Sequence, residues 1–299
     1  MSGLILVTGA TGYVGRRLLP LLVESGANVR ILTRSADSTV PAGVTVARGD
    51  LTDAVSLKRA CEGVDAVINL AAVTADRKAP SGGYDAVNAD GLAHLANAAQ
   101  TSGATRFIQL AGIDTVTGKP GPYLAGRRRG EDALSRSRIE SIAVLRPSIM
   151  FGGTDSAFSK AMAQLISLAP VVPVPGDGKL RLQMIWVEDV VRCLMALVKQ
   201  PAKRGSFSIG GPDHLSYDEM LDLVGEGIDK AHVRKIHLPL SILAVQAKLM
   251  QVLPKPPLTP AALELFQSDN VTERGAVERQ FGFVPRGFAE HVRSQGLYA

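Results

Sequence analysis

Three glycines spaced three residues apart, Gly9, Gly12 and Gly15, follow an apolar run at residues 4–7. Glycines at such positions let the backbone approach a pyrophosphate, and a helix that begins there directs its free N–H groups toward the anion. The amphipathic run at residues 16–22 is suited to that helix. The pattern therefore predicts a nucleotide phosphate over this loop, held by Gly9, Thr11, Gly12, Tyr13, Val14 and Gly15.

A cationic residue, Arg34, follows the second apolar run, at residues 29–32. A site that prefers NAD carries an acid at about this point to hold the ribose 2′-hydroxyl, and that acid would repel a 2′-phosphate. Arg34 instead offers a planar fork suited to phosphate, and Ser35 adds a hydroxyl donor. The two residues predict NADP(H) in preference to NAD(H); a solvated arginine in a turn is the alternative.

The elements that position these residues are strand-like runs alternating with helical patterns, a rhythm typical of a doubly wound parallel sheet. The predicted strands are residues 4–7, 29–32, 44–47, 66–70, 107–110, 142–145 and 206–209, and the predicted helices 88–99, 123–134, 189–198 and 217–228. A proline- and glycine-rich loop at 170–178 interrupts this regularity. We expect an α/β chain with a Rossmann-type dinucleotide-binding domain at 1–150 and a smaller α/β lobe at 151–299. A return to the first domain near 180–200 stays open.

Composition narrows the class of protein. A chain of 299 residues with 46% hydrophobic content can bury a large core. The net charge is +5, but the 33 basic residues are dispersed and only 5% of residues are aromatic. This favours a cationic protein that binds a polyanionic cofactor over one that binds nucleic acid.

The cysteines and histidines indicate neither a disulfide framework nor a metal site. Cys61 and Cys193 lie in apolar helical patterns, and the five histidines lack ligand-like spacing. No signal peptide and no apolar run of bilayer length is evident in the sequence. We expect a cytoplasmic protein that is soluble or at most peripheral to a membrane.

The sequence resembles the extended and atypical short-chain dehydrogenase/reductase superfamily across nearly its whole length. The resemblance rests on residues 8–15, 49–53, 69–72 and 145–148, and on Tyr123 with a basic residue four positions later. A narrower likeness, to the nucleotide-binding accessory subunit of respiratory complex I and its bacterial relatives, rests on residues 151–155, 173–178 and 186–190.

The resemblance implies further cofactor contacts. Asp50 and Leu51 are expected beside the adenine, although Asp is also a good N-cap, so helix capping is the alternative for Asp50. The other implied cofactor-binding residues are Ala71, Ala72 and Val73 along the path to the nicotinamide ribose, together with Tyr123, Arg127 and Pro147.

The catalytic set that the resemblance implies is incomplete. Reductases of this superfamily use a hydroxyl residue, a Tyr and a Lys, but here Ala111 stands at the hydroxyl position and Arg127 at the lysine position. An arginine can stabilise a tyrosinate and bond ribose hydroxyls, yet with a pKa above about 12 it cannot relay a proton. Tyr123 and Arg127 are the candidate catalytic residues, and Thr115 or Thr117 is left open as a substitute hydroxyl.

Two segments are candidates for contacts with other molecules. The run at residues 127–129 is suited to phosphate, a lipid headgroup or an acidic partner; alternatively, Arg127 faces the cofactor while Arg128 and Arg129 face solvent. The apolar run at 236–253 predicts a partner-docking or interfacial helix, or a helix packed against the cofactor domain.

Three hypotheses of function follow. The first is an NADP(H)-binding, reductase-like protein whose dinucleotide is structural or sensory. The second is an active NADP-dependent oxidoreductase or epimerase that uses Tyr123. The third is an accessory or assembly factor of a respiratory-type complex, with a protein or membrane-peripheral partner. Because one fold hosts many functions, the fold alone does not choose among them.

Overall fold

The structure, a computed structural model, describes residues 3–35, 40–230, 232–253, 256 and 258–298. Its strands are β1 Leu4–Thr8, β2 Asn28–Thr33, β3 Thr45–Arg48, β4 Val64–Asn69, β5 Arg106–Leu110, β6 Ser141–Pro147, β7 Met150–Phe151, β8 Val172–Pro175, β9 Arg181–Leu182, β10 Ile185–Trp186, β11 Gly205–Ile209, β12 Leu215–Ser216 and β13 Lys235–Leu238. Within the described residues, seven strands form one sheet in the order β11-β6-β5-β4-β1-β2-β3, and every neighbouring pair is parallel.

Helices cover both faces of this sheet, and further helices belong to the second part of the molecule. They are α1 Gly15–Glu24, α2 Ala54–Ala60, α3 Leu92–Thr101, α4 Asp114–Thr117, α5 Pro122–Ser135, α6 Ala157–Leu168, α7 Val187–Lys199, α8 Tyr217–Glu226, α9 Leu240–Met250, α10 Pro260–Leu265, α11 Ala276–Phe281 and α12 Phe288–Gln295. A π-helical turn, Ala86–Gly91, leads directly into α3. The predicted doubly wound parallel α/β fold is therefore confirmed.

Two apolar layers hold the sheet between its helices. Side chains of β1 alternate between them: Ile5 and Val7 pack in the layer that contains α1 and α7, whereas Leu6 packs with α2 and α3. Strands buried on both faces need near-continuous apolar sequence, which is the pattern these runs carry. The parallel arrangement brings the carboxyl ends of all seven strands to one edge, where ligands of such sheets bind.

A second lobe forms its own apolar cluster around Phe151, Val174, Leu221 and Phe288. Its strands make three short pairs: β8 with β13 and β7 with β10 are parallel, and β9 with β12 is antiparallel. Between these elements the chain goes back to the large sheet, because α7 packs with α1 and β11 pairs with β6. The lobe is thus built from chain segments on either side of that return.

The apolar run at 236–253 is not the single helix that the sequence predicted. Its first residues form β13, which pairs with β8, and α9 begins only after Pro239. Leu243 and Ala247 of α9 pack on Leu263 of α10 within the second lobe, which corrects the expected packing against the cofactor domain. Within the described residues, no helix is long and apolar enough to cross a bilayer.

Candidate functional site

The glycine loop joins β1 to α1 at the carboxyl edge of the sheet. Gly9 has φ +68°, a left-handed conformation that favours glycine. A Cβ on Gly15 would lie 2.2 Å from the Gly9 carbonyl oxygen, so Gly15 is needed for the turn itself. A Cβ on Gly12 would meet only that same oxygen, at 3.1 Å, and otherwise open space. This cradle fits a pyrophosphate.

The start of α1 is suited to an anion. Its N-cap, Val14, makes no side-chain cap, and the first turn carries no acidic residue. The first intrahelical donor is the Arg16 amide, which bonds the Gly12 carbonyl at 3.0 Å. The amides of residues 13–15 lie ahead of it, at the positive end of the helix dipole. These donors and the open side of Gly12 support a dinucleotide phosphate at this place.

Two side chains of the glycine loop and α1 bond to the second lobe. The Tyr13 hydroxyl donates to the Gly152 carbonyl at 2.7 Å, and burial raises the pKa of Tyr13 to about 12. Arg17 makes a two-pronged ion pair with Asp155, at 2.5 and 2.9 Å, and its Nε donates to Glu188 at 2.9 Å. The phosphate loop is therefore anchored to the segment that opens the second lobe.

Arg34 follows β2 with its side chain 83% exposed, and its Nη1 lies 3.6 Å from Asp50 Oδ2. The other oxygen of Asp50 accepts from the amide and the hydroxyl of Thr52, each at 2.8 Å. Partial burial opposes ionisation, but these bonds and the charge of Arg34 lower the pKa of Asp50. Helix capping belongs instead to Asp53, whose carboxylate accepts from two amides of α2. The alternative of Asp50 as an N-cap is therefore wrong.

Ser35 and Leu51 lie at the same end of the sheet. The Ser35 amide donates to the Thr33 hydroxyl at 3.2 Å, and Leu51 is buried in the layer with α2 and α3. Residues 36–39, which follow Ser35, lie outside the described residues.

The backbone at residues 71–73 is held by a side chain that the sequence did not single out. Asn88, in the π-helical turn, accepts from the Val73 amide and donates to the Val73 carbonyl, both at 2.8 Å. Gly130 of α5 lies so near that a Cβ on it would come within 2.2 Å of the Asn88 carbonyl oxygen. Together with Asn88, Ala71 and Ala72 line a cavity at this edge.

A second missed feature is a buried polar chain that crosses the ends of three strands. The Thr8 hydroxyl on β1 donates to the amide oxygen of Asn69 on β4, and Asn69 Nδ2 donates to Gln109 Oε1 on β5 at 2.8 Å. Asn69 and Gln109 also line the cavity. The sequence contained a signal for this chain: Asn69 and Gln109 are each the one side-chain amide in an otherwise apolar predicted strand. Because a buried amide requires a hydrogen-bond partner, the two could have been expected to pair.

Tyr123 and Arg127 meet in one turn of α5. Arg127 Nη1 donates to the Tyr123 hydroxyl at 3.3 Å, and the guanidinium carbon lies 5.8 Å from the centre of the tyrosine ring. The ring is 3% exposed and contacts Tyr84 edge-on at 5.1 Å. The structure thus brings the two candidate catalytic residues together, with Arg127 also lining the cavity.

Ala111 also lines the cavity, and its side chain is only a methyl group. Pro147 ends the neighbouring strand β6, and its carbonyl accepts from the Ile113 amide at 3.1 Å. The Thr117 hydroxyl donates to the carbonyl of Ile113 at 3.2 Å, which engages it within its own helix. The side chain of Thr115 lies outside the described part of the structure.

Acidic groups surround Arg127. Burial opposes its charge, but the Tyr123 hydroxyl and the Asp114 and Glu131 carboxylates outweigh that effect, so the pKa of Arg127 lies above its ordinary value. Burial raises the pKa of Asp114, whose Oδ1 accepts from Asn270 at 2.6 Å. Arg127 is therefore a fixed positive charge beside the tyrosine.

Arg128 and Arg129, the neighbours of Arg127 in the arginine run, make other contacts. Arg129 pairs with Asp85 at 2.5 Å on the surface, whereas Arg128 donates to the Gly118 carbonyl. The expectation that both face solvent is wrong for Arg128, because α5 packs beside the loop that contains Gly118.

The N-terminus of α5 is capped from the second lobe. The carboxylate of Glu264, on α10, accepts from the amides of Tyr123 and Leu124, each at 3.0 Å. Gly121 leaves room for it, since a Cβ there would lie 2.2 Å from the carboxyl carbon. The second lobe thereby supports the helix that carries Tyr123.

A comparison with protein families decides the relationship. Residues 5–210 match the family described as NAD dependent epimerase/dehydratase. The chain belongs to this family. Its Rossmann fold is of the NAD(P)-binding type, and the matched region includes the glycine loop, Arg34, Tyr123 and Arg127.

Curated relatives of the chain include a reductase and a subunit of a respiratory enzyme. Ceramide reductase of Caulobacter vibrioides is 34% identical over 203 residues, which are 67% of this chain and 62% of the relative. NADH dehydrogenase [ubiquinone] 1 alpha subcomplex subunit 9 is 25% identical over 244 residues in Dictyostelium discoideum, 79% of this chain and 66% of the relative. The Arabidopsis thaliana protein of that name is 23% identical over 290 residues, 91% of this chain and 70% of the relative. The chain thus spans less than two thirds of the length of the Caulobacter and Dictyostelium relatives.

Solved structures share the fold over nearly the whole chain. MoeE5 in complex with UDP-glucuronic acid and NAD has a TM-score of 0.72 at 22% identity, with 98% of this chain and 97% of that one covered. WbmG of Bordetella bronchiseptica, in complex with NAD and UDP, has a TM-score of 0.73 at 18% identity, with 99% and 94% covered.

Proposed function

We propose that this family member is an NADP(H)-binding, reductase-like protein in which the dinucleotide acts mainly as a structural or sensory ligand. The observation that carries the proposal is the pairing of Tyr123 with Arg127, 3.3 Å apart, beside a cavity that Arg127 lines together with Ala111, whose side chain is only a methyl group. The three-residue set keeps a group, Arg127, that could bond a ribose and stabilise a tyrosinate, but it has no hydroxyl at Ala111 and no proton-relaying lysine at Arg127.

The preference for NADP(H) rests on Arg34. Its guanidinium is exposed beside Asp50 at the end of β2, and its neighbour Ser35 adds a hydroxyl. An arginine fork matches the geometry of a phosphate. A 2′-phosphate would then replace the weak 3.6 Å pair with Asp50 by a charge-assisted contact.

When bound, the dinucleotide supplies a hydride donor or acceptor. In this chain, Tyr123 is the only residue of the three-residue set that could give a proton to the substrate, and Arg127 holds its hydroxyl without exchanging a proton. The loss of a carbonyl-polarising donor costs about a hundredfold to a thousandfold in rate, and impaired acid/base catalysis about a hundredfold to ten-thousandfold. The two penalties need not add.

The test is oxidation of NADPH by the purified protein against a panel of aldehydes, ketones and quinones. We expect turnover below about 1 per second, the low end of ordinary enzyme rates. The paired change Ala111→Ser with Arg127→Lys should raise any detectable turnover, whereas Tyr123→Phe should leave cofactor affinity nearly unchanged. Arg129→Lys is the matched control, because that exposed arginine of the same helix pairs with Asp85.

Two alternatives have their own support. The retained contact between Tyr123 and Arg127 favours an active NADP-dependent oxidoreductase or epimerase, and wild-type turnover above the stated threshold would select it. The respiratory subunits that align with most of the chain favour an accessory factor. Co-migration of the protein with a respiratory complex on native gels would support that role, and migration as a free protein would exclude it.

A further inference from the structure

Helix α9 exposes a row of aliphatic side chains. Ile242, Val245 and Leu249 follow helical spacing and are 54%, 62% and 71% exposed, and Val252 just beyond the helix is 83% exposed. The opposite face carries Leu243 and Ala247, which are buried against α10. A helical face with several exposed aliphatic side chains normally packs against another surface. One half of α9 therefore has no cover from the described part of its own chain.

The charge of the surrounding sequence is of one sign. Between Asp229 and Glu264 the chain contains no acidic residue, whereas it contains five basic ones: Lys230, Arg234, Lys235, Lys248 and Lys255. Lys248 and Arg234 are exposed, and Lys248 flanks the aliphatic row.

Two acids of α8 already have partners. Asp222 pairs with Lys235 at 2.6 Å, and Asp218 pairs with His237 at 2.9 Å. The aliphatic row therefore lies beside the exposed Lys248, in a stretch of sequence that contains no acid. Ile236, 50% exposed on the strand that leads into the helix, extends that area.

We propose that α9 is an interfacial helix that docks this protein on a membrane containing anionic phospholipids. Exposed aliphatic side chains flanked by lysine suit the boundary between headgroups and acyl chains. Eleven residues make a helix of about 16 Å, which lies in the plane of the bilayer and is too short to span it.

Other occupants fit this surface less well. Protein interfaces are enriched in Tyr, Trp and Arg at their centres, but the exposed side of α9 offers Ile, Val and Leu with Ser, Gln and Lys. A second copy related by a two-fold axis would bring the same basic surface against itself. Charge complementarity thus selects an anionic lipid surface.

Vesicle flotation of the full chain tests the proposal. One set of vesicles contains phosphatidylcholine alone and the other adds phosphatidylglycerol. We expect binding to the anionic vesicles, weaker binding to the neutral ones, and a decrease with salt. The double variant Val245→Gln with Leu249→Gln should bind at least about tenfold more weakly, and Lys248→Gln about fivefold more weakly.

The matched control is Val55→Gln with Val284→Gln, two residues that are each 68% exposed elsewhere on the surface. It should bind like the wild type, and thermal unfolding of all variants should coincide because only exposed side chains change. A fluorophore on Gln246→Cys, an exposed position next to Val245 of the aliphatic row, should shift to the blue on the vesicles. The native Cys61 and Cys193 are fully buried and burial raises the pKa of each thiol, so the label goes to the new site.

Three results would overturn the proposal: no binding to anionic vesicles, an equal loss in the control variant, or a wild-type dimer that the α9 double variant converts to a monomer. The last would assign the surface to a second copy, and the first would leave it to a protein partner. None of these readouts depends on dinucleotide binding, so their failure is distinguishable from failure of the function proposed above.

Discussion

Replacement of Arg34 by alanine should weaken NADPH binding selectively. A hydrogen bond to a charged group contributes about 1.5–3 kcal/mol, and 1.4 kcal/mol corresponds to a factor of ten in affinity. Because the side chain is 83% exposed, water and salt screen the contact, which places the expected loss near the lower end, at about tenfold. NADH, which has no 2′-phosphate, should bind nearly as before.

The same structure predicts that this substitution leaves folding intact. Among the described residues, Arg34 makes one ion pair, which is exposed and 3.6 Å long, and such pairs contribute about 0–1 kcal/mol. Calorimetric titration of both cofactors into wild type, Arg34→Ala and Arg59→Ala measures the effect, with Arg59 as an exposed arginine of α2. Discrimination between the cofactors should shrink as salt is added. Equal losses for NADPH and NADH, or no loss for either, would refute the role of Arg34.

Three further predictions test the rest of the site. Gly12→Val should abolish dinucleotide binding while the circular dichroism spectrum remains native, whereas Gly15→Ala should lower the melting temperature, because only the Cβ at position 15 would lie as near as 2.2 Å to backbone. Normal binding of the dinucleotide by the Gly12 variant would contradict the position of the phosphate. Glu264→Ala should lower the free energy of unfolding by about 2–4 kcal/mol, since two buried amides lose their acceptor, and an unchanged denaturation midpoint would refute the cap. The hydrogen bonds and charge of Arg17 lower the pKa of Asp155 below its ordinary 3.8, so its stabilisation, about 1–3 kcal/mol, should be complete above that value and disappear as pH falls through the lower folded-state value. The difference in unfolding free energy between wild type and Asp155→Asn should accordingly vanish in acid, and a difference that does not depend on pH would exclude the ion pair as its source.

The sequence alone predicted the parts of this molecule that local pattern determines. Buried parallel strands require apolar runs, the turn at Gly9 requires glycine, and a spacing of four in a helix brings Arg127 to Tyr123. Those features were readable because each depends on neighbours within a few residues.

Contacts between segments that are far apart in the sequence could not be predicted from local pattern. Glu264 lies 141 residues from Tyr123, and Asn69 lies 40 residues from Gln109. The prediction of a single helix at 236–253 was wrong for another reason. A short apolar stretch fits a strand or a helix equally well, and here Pro239 separates β13 from α9. Asn88 lay within a predicted helix, but nothing local indicated that its amide would hold Val73.

The carboxylate of Glu264 also determines which helix end can receive an external negative charge. At α5 the chain supplies its own counter-charge, so that terminus is saturated, whereas the first turn of α1 contains no acid and its amides are free to bind phosphate. Hydrogen exchange distinguishes the two: the amides of Tyr123 and Leu124 should exchange slowly with or without dinucleotide, and those of residues 13–15 should slow only when it binds. An anionic part of a second ligand in the cavity would therefore meet the Arg127 side chain that lines it and not the N-terminus of α5, whose amides Glu264 already caps.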